Sequence, residues 1–330
     1  MGLKTFIAKR IVYMVILIWL AVTVNFMIFV LMPGSPLESY IGRLSGRMDP
    51  ARIQLLKEHF GLDKPLHERY IIYITNLITW NFGDSYFSGS VSVAMADKMS
   101  RTLELMGLAT TITITLGVLI GVIAAHTRGG AVDGTLVTGS LLTYSVPIFW
   151  LGWIMLYIFS IQLHWFPLGG MYPTSWAVPG NWPSNIFEYL AGRLYHLALP
   201  TATLVLFSVG GWILLARACM LESMTEDYVV TARAKGLGER TVLLKHVLKN
   251  ASLPIITSVA LSFAGMIGGA IITETVFNYE GMGRWTWRAI GQTDLPVLAA
   301  VFYVTTLTVI IANFLADLIY GVVDPRIRYG

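Results

Sequence analysis

The sequence predicts an all-α integral membrane protein with six transmembrane helices, and three observations support this fold class. Hydrophobic residues make up 55% of the 330-residue chain and charged residues only 13%, where a soluble domain carries about 25% charged residues. Apolar stretches long enough to cross a bilayer recur along the chain. Lysine and arginine are concentrated in alternate connecting segments, which is typical of a multi-pass membrane protein.

Six apolar stretches are predicted to span the membrane. Pro147 interrupts the third, and Gly117-x-x-x-Gly121 and Gly265-x-x-x-Gly269 place small residues about one turn apart in the second and fifth. Because such spacing permits close contact between helices, we expect the fifth helix to be the most closely packed. The predicted spans cover residues 11–32, 105–127, 134–163, 194–216, 250–273 and 295–316.

Three regions follow from this pattern. Residues 1–32 form the N-terminal cytoplasmic end and the first span, because the apolar run is too long for a signal peptide. Residues 33–101 form an extracytoplasmic insertion with predicted helices at 49–60 and 66–80. This insertion is either packing material over the helices or a docking surface for another protein. Residues 102–330 form the membrane core, which includes a cytoplasmic loop at 218–252.

Positively charged residues orient the chain in the membrane. The segments predicted to be cytoplasmic contain twelve lysines and arginines, whereas the two short outer loops contain three, Arg193, Arg284 and Arg288. Cytoplasmic loops carry an excess of these residues. We therefore predict a multi-pass protein of the cell membrane with both termini in the cytoplasm.

The sequence contains no arrangement that indicates catalysis. A G-x-x-x-x-G-K-S/T phosphate loop is absent, so this chain is not expected to hydrolyse ATP. The six histidines show no metal-ligand spacing, and the single cysteine, Cys219, is interpreted as a small apolar filler. We predict no catalytic, cofactor-binding or metal-binding residue and no nucleic-acid partner.

Polar residues near the spans allow two interpretations. Glu104, Glu274 and Asp317 lie close to predicted helix ends, where a structural role is favoured over a proton relay. Hydroxyl side chains within the spans either line a polar path or hydrogen-bond to their own helix. These hydroxyls belong to Thr111, Thr113, Thr115, Thr201, Thr203, Ser208, Ser258 and Ser262.

The charged segment at residues 223–254 is predicted to contain two helices. Ser223 and Glu226 have the spacing of a capping box, and Gly236 supplies a left-handed stop, which together indicate a short helix. A second, amphipathic helix is expected to lie against the membrane surface. Its apolar face contains Leu244, Val247, Leu248 and Ala251.

Two functions are open for the first of these helices. It is either part of a solvated basic loop, which the distribution of charge alone explains, or a surface that another protein contacts. Thr231, Ala232 and Ala234 are small enough to let such a partner approach closely.

The stretch DYVVTARAKGL followed by LP resembles the EAA loop of ABC-importer permeases, in the form found in the dipeptide/oligopeptide/nickel branch. Further stretches along the chain resemble the same branch: MPGSP, GLDKPLHERY, NFGDS, SVPIFWLG, LHWFPLGG and ETVF. Val230 stands where many permeases have an acidic residue, and Pro254 comes about five residues later than in sugar importers. Both departures are usual in the peptide branch.

This resemblance implies a type I ABC importer permease fold and a subunit that is not itself an enzyme. The implied partners are a second homologous permease subunit, two ATPase subunits that bind ATP and magnesium, an extracytoplasmic substrate-binding protein and membrane lipid. The loop helix would be a coupling helix seated on an ATPase. The implied contacts are Asp227, Tyr228, Thr231, Ala232, Arg233, Ala234, Lys235 and Gly236.

The resemblance implies import of dipeptides or oligopeptides by alternating access, with this chain forming half of the pathway. Oligosaccharides and nickel chelates are alternative cargoes of the same branch. A stand-alone secondary carrier is an alternative of another class, which inverted repeats and matching broken helices would favour. A membrane-embedded enzyme is a third alternative, for which the sequence supplies no acid, base or metal set.

Overall fold

The structure is a computed structural model that describes residues 3–30, 49, 51, 54, 64–85 and 87–323. The helix predicted at residues 49–60 lies almost wholly outside the described residues. Within them the chain is helical apart from loops and one antiparallel hairpin, in which strand β1 (Asp84–Ser85) pairs with strand β2 (Gly89–Ser90). The all-α class predicted from the sequence is therefore confirmed.

The helices follow one another with few interruptions. Leu156–Gln162 continues α5 as a π-helix, and Val242–Val247 joins α8 to α9 in the same way. The helices are α1 (Leu3–Phe29), α2 (Leu66–Ile78), α3 (Val91–His126), α4 (Ala131–Ser145), α5 (Ile148–Met155), α6 (Ile186–Met224), α7 (Asp227–Ala234), α8 (Glu239–Thr241), α9 (Leu248–Gly265), α10 (Ile271–Val276), α11 (Met282–Gln292) and α12 (Leu295–Val323).

Four helices in the described part of the chain are long and apolar enough to cross a membrane: α1, α3, α6 and α12. Helices α4 and α5 form a fifth candidate, bent by 97° where Pro147 separates them, which confirms the predicted interruption. Helix α9 contributes a shorter apolar stretch, Pro254–Phe263. The structure therefore supports four or five spans, and the count of six stays a prediction.

Helices α3 and α6 pack closely together. A Cβ atom added at Gly117 would lie 2.3 Å from Cβ of Trp212, and one added at Gly121 would lie 2.6 Å from Cβ of Ala216. Only glycine leaves room for such an approach. The prediction that the Gly117–Gly121 pair permits close contact is confirmed.

Residues 250–273, the predicted fifth span, do not form one continuous helix. Helix α9 ends at Gly265, residues Met266–Gly268 form a single 3₁₀ turn, and Gly269 then adopts φ +76°. A left-handed residue cannot continue a right-handed helix, and glycine adopts that conformation without steric cost. Among the described residues, no atom lies within 4 Å of a Cβ added at Gly265, whereas one added at Gly269 would lie 2.6 Å from N of Gly283.

Two of the buried apolar clusters in the described part of the chain lie at different levels of the helix bundle. The α7 cluster joins α3, α6, α7 and the start of α9, and the Tyr279 cluster joins α3 and α6 to the segment before α11. The α7 cluster contains Ala125, Ala216, Met220, Val229, Ala232, Val242, Val247 and Ala251. The Tyr279 cluster contains Leu105, Ala109, Met171, Leu197, Leu204 and Tyr279.

Candidate functional site

Helix α7 stands between two long helices as a separate short element. Asp227 lies in its first turn and Arg233 in its last, where each charge opposes the partial charge of the helix end. Gly236 has φ +77°, which confirms the predicted left-handed stop. The predicted capping box does not form, because Ser223 lies within α6 and Glu226, not Ser223, is the N-cap residue of α7.

Ser223 serves a different purpose from the predicted cap. Its hydroxyl hydrogen-bonds to the hydroxyl of Tyr228 and lies 3.1 Å from the carbonyl oxygen of Val247, to which it donates. Ser223 belongs to α6, Tyr228 to α7 and Val247 to the π-helix. One buried side chain therefore joins the three elements that meet at this point.

The inner face of α7 is anchored in its own chain. Val229 is fully buried and Ala232 is 5% exposed, and both belong to the α7 cluster. Ala232 was expected to offer a small surface to a partner, but it packs inward against this chain instead. Tyr228 is also half-buried, because its ring lies against the same cluster.

The second helix of the loop also differs from its prediction. Residues Val242–Val247 run directly into α9, so this stretch is the start of a longer helix and not a separate one. Val247 and Ala251 are buried in the α7 cluster, whereas Leu244 is 48% exposed. The apolar face predicted to meet lipid therefore packs mainly against α6 and α7.

The outer face of α7 is an exposed strip. Asp227, Val230, Thr231 and Ala234 are all exposed, and their i, i+3, i+4, i+7 spacing places them on one side of the helix. Val230 is 62% exposed. Because Val230 is exposed beside Thr231 and Ala234, the outer surface of α7 consists of small side chains and is partly apolar.

The sequence-based set of contacts is thus divided between two faces. Asp227, Thr231 and Ala234 lie on the exposed strip, Arg233 and Lys235 are exposed beside it, and Ala232 and Tyr228 face inward. Val230 was left out of that set because it replaces an acidic residue in the motif. Its position one turn after Asp227 and one turn before Ala234 places it on the same face of the helix as those two residues, which indicates a contact position.

An ion pair closes the C-terminal end of α7. Nη2 of Arg233 lies 2.6 Å from Oε1 of Glu239, and Nε lies 3.2 Å from the other carboxylate oxygen. The hydrogen bond from Arg233 lowers the pKa of Glu239 below its ordinary value. Because Glu239 begins α8, this pair spans the turn at Gly236 and joins α7 to the next helix.

A second ion pair lies near the α7 cluster. Arg217 donates from Nε and Nη2 to the two oxygens of Asp133, at 2.7 and 2.8 Å. The amide of Gly129 donates to the same carboxylate at 3.0 Å. Asp133 is in the first turn of α4 and Arg217 is in α6, so the pair joins three segments. No local sequence pattern predicts this pair, since its partners lie 84 residues apart in the chain.

Polar contacts at the other level of the bundle involve two of the acids named above. Arg193 pairs with Glu104, and it also donates to the carbonyl oxygen of Met171 at 2.9 Å. Glu274 is fully buried, and its carboxylate accepts hydrogen bonds from the hydroxyl of Thr102 and the amide of Arg284 at 2.8 and 2.9 Å. A carboxylate is well placed at the N-terminus of a helix such as α11.

The third acid, Asp317, pairs with Arg10 at 2.6 Å. Glu104, Glu274 and Asp317 therefore each make ion-pair or hydrogen-bond contacts within the protein, as the predicted structural role requires. Glu104 lies in the interior of α3 rather than near its start, because α3 begins 14 residues before the expected span, at Val91 rather than residue 105. Within the described residues, no three histidine, cysteine or acidic side chains meet in a metal-binding group.

Several long apolar helices, with a short helix that exposes one face between two of them, define a multi-pass membrane protein. The chain belongs to the family of binding-protein-dependent transport system inner membrane components, whose model matches residues 117–329. The model for the N-terminal part of these components matches residues 3–103. The resemblance seen in the sequence is confirmed.

Relatives of the chain match it over nearly its whole length. A probable peptide ABC transporter permease of Sinorhizobium fredii is 36% identical over 98% of this chain and 99% of its own. The di/tripeptide transport system permease protein DppB of Pseudomonas aeruginosa is 34% identical, with the same coverage. The oligopeptide transport system permease protein AppB of Bacillus subtilis is 32% identical over 91% of this chain and 93% of its own.

Family membership settles the coarse function and location. The chain is a permease component of a binding-protein-dependent transport system, not the subunit that hydrolyses ATP, and it is a multi-pass protein of the inner membrane. These statements agree with the class, the non-enzymatic role and the membrane location predicted from the sequence.

Proposed function

We propose that the chain is the transmembrane subunit of an ATP-driven importer of dipeptides or oligopeptides, and that it forms half of the translocation pathway. Peptides are favoured over oligosaccharides and nickel chelates because the relatives quoted above, each covered over most of its length, carry peptide-transport names. Uptake of a labelled dipeptide by cells with and without this chain tests the cargo. If cells without this chain lost nickel uptake but kept dipeptide uptake, the assignment of peptides as the cargo would be overturned.

The observation that carries the coupling role is the division of α7 into an anchored face and an exposed face. Val229 and Ala232 fix the helix to α6 and the π-helix, while Val230 and Thr231 remain free to meet a partner. A partner that pushes the exposed strip therefore moves α6 and α9 as well, because a close-packed interior transmits displacement. This is what a coupling helix between an ATPase and a pathway requires.

The proposed assembly contains a second homologous permease subunit, two ATPase subunits with their ATP and magnesium, and an extracytoplasmic binding protein. The exposed strip of α7 is assigned to the ATPase, so α7 and both chain termini face the cytoplasm. The excess of lysine and arginine in those segments supports this orientation. ATP binding would close the ATPase pair and switch the pathway between its two openings.

Thr231→Arg tests the coupling role, because it places a large charged side chain on the exposed strip. Thr241→Arg is the matched control, since Thr241 is an exposed threonine that lies outside α7. We expect Thr231→Arg to lower co-purification of the ATPase and to reduce peptide uptake at least tenfold, with normal amounts of the chain in the membrane. Equal uptake by the two variants would contradict the assignment.

A further inference from the structure

A recess of about 270 Å³ lies between α3, α6 and α9. Hydroxyl side chains line it from each of the three helices: Thr110 and Thr113 from α3, Ser208 from α6 and Ser262 from α9. Met106 and Trp212 add apolar surface. None of the described residues that line the recess is charged.

The hydroxyls on α3 behave differently according to the side of the helix that they occupy. Thr111 and Thr115 are exposed, and each donates a hydrogen bond to the carbonyl oxygen four residues earlier, at 2.7 Å. This is the usual way for a threonine in an apolar helix to satisfy its hydroxyl. Thr110 and Thr113 face the recess, and within the described part of the chain their hydroxyls have no hydrogen-bond partner.

Thr113 is the clearest member of this group. The residue is only 2% exposed and lines the recess, so its hydroxyl meets water or a solute through the recess alone. Ser208, across the recess, likewise has no partner among the described residues. Hydroxyls left free on both walls of one recess indicate a place that water or a solute occupies.

The end of α9 supports the same conclusion. Gly265, the last residue of α9, lines the recess, and beyond it the backbone passes through a 3₁₀ turn to the left-handed Gly269. Non-helical backbone at membrane depth is tolerated where it is buried in protein or lines a water-filled cavity. Transporters place solute sites beside such interrupted helices.

The recess lies between the two apolar clusters. Along α3, its hydroxyls come after Ala109 of the Tyr279 cluster and before Ala125 of the α7 cluster. Along α6, Ser208 and Trp212 lie between Leu204 and Ala216 in the same way. The recess is therefore at a middle level of the bundle, with packed apolar side chains on either side.

We propose that this recess is the surface on which the chain contacts the main-chain amides of a peptide in transit. The proposal rests on the function proposed above and names the residues and the chemistry of contact. A hydroxyl both donates and accepts hydrogen bonds, so it can bond to the N–H or the C=O of an amide. A wall without charge binds neither end of the peptide strongly, which suits a site that the solute must leave.

Cysteine labelling tests whether water reaches the recess. Cys219→Ala removes the one native cysteine, which is buried, and Thr110→Cys, Ser208→Cys or Ser262→Cys is added to it. The assembled importer in membrane vesicles is treated with a membrane-impermeant methanethiosulfonate reagent. We expect at least tenfold faster modification at these positions than with Thr111→Cys, the neighbouring control that faces away from the recess. Equal, slow rates at all four positions would overturn the proposal.

Protection distinguishes a peptide contact from a merely wet cavity. Trialanine supplied with the binding protein and ATP should slow modification of Ser208→Cys severalfold, and should leave any remaining modification of Thr111→Cys unchanged. Modification that trialanine does not slow would contradict the contact with peptide. Uptake of trialanine by the unmodified importer is measured in parallel, because its absence would refute the proposed function rather than the position of the recess.

A bulky substitution supplies an independent test. Ser208→Phe would fill the recess, whereas Thr111→Phe adds the same ring on the exposed side of α3. We expect Ser208→Phe to reduce trialanine uptake at least tenfold while ATPase subunits still co-purify, and Thr111→Phe to retain at least half of the normal uptake. Normal uptake by Ser208→Phe would overturn the proposal.

Discussion

Arg193 and Glu104 are joined by a two-point ion pair between α6 and α3. Nε of Arg193 lies 3.1 Å from Oε1 of Glu104, and Nη2 contacts the second carboxylate oxygen. The two partners differ in environment, since the side chain of Arg193 is 4% exposed and that of Glu104 is 39% exposed. Removing one partner is therefore not equivalent to removing the other.

We expect Glu104→Ala to destabilise the protein more than Arg193→Met does. The first change leaves a buried guanidinium without its counter-ion, a loss of about 1–3 kcal/mol, below that of a fully buried pair because Glu104 is partly exposed. The second leaves a carboxylate that water can reach. Free energies of unfolding in mixed micelles measure the difference, and a larger loss for Arg193→Met would contradict this account.

Gly117→Ala should destabilise the contact between α3 and α6 by about 1–3 kcal/mol, the usual cost of overpacking. The added methyl group would meet Cβ of Trp212. Gly107→Ala on the same helix is the control, because no atom lies within 4 Å of its added Cβ. For Gly107→Ala we expect the free energy of unfolding to rise by about 0.5–1 kcal/mol, because alanine has a higher helix propensity than glycine. Thermal unfolding of the two purified variants distinguishes the outcomes.

Gly236→Ala should loosen the end of α7. Gly236 has φ +77°, and an L-residue in the left-handed region costs about 1–2 kcal/mol. Gly238→Ala is the control, since Gly238 has φ −61° and both positions have open space around an added Cβ. Hydrogen exchange of the α7 amides should accelerate in the first variant only. Faster exchange in both variants would show that the added methyl group itself, and not the backbone angle at Gly236, loosens the helix.

The stabilisation from the Arg233–Glu239 pair should depend on pH. The pKa of Glu239 is lowered in the folded protein. The pair therefore stabilises the fold fully at pH values above the unfolded pKa of about 4.3. This stabilisation is lost as the pH falls through the lower pKa of the folded state. Because both side chains are largely exposed, the effect is at most about 1 kcal/mol.

Glu239→Gln measures that contribution. Wild type and variant should differ in the hydrogen exchange of α7 at pH 7, and the difference should shrink both below about pH 4 and in high salt, which screens exposed charges. An undiminished difference in acid would show that the hydrogen-bonding shape of the side chain, rather than its charge, is what matters.

The sequence was sufficient for the features that local chemistry controls. Pro147 predicts the break between α4 and α5 because proline disrupts a helix on its own, and Gly236 predicts the end of α7 for a similar reason. The spans predicted at 105–127 and 194–216 are shorter than α3 and α6, because hydropathy detects only the apolar part of a helix. Both helices continue into polar residues.

Features that depend on tertiary contacts could not be read from the sequence. The capping box at Ser223 does not form because α6 continues through Ser223, whose hydroxyl bonds to Tyr228 and to the carbonyl oxygen of Val247. The spacing of Gly265 and Gly269 has the form of a packing motif, but a left-handed backbone at Gly269 ends the helix instead. Which hydroxyls face the recess depends on the rotation of α3, which a single sequence does not reveal.

Helix α6 contains Pro200 in its buried interior. Proline has no N–H, so the turn that begins at His196 lacks one main-chain hydrogen bond and bends more easily than the rest of the helix. On one side of this turn Arg193 ties α6 to Glu104, and on the other Ser208 lines the recess before the helix reaches α7. The turn at Pro200 is therefore the part of α6 that resists bending least, and it lies between the Arg193 pair and the wall of the recess.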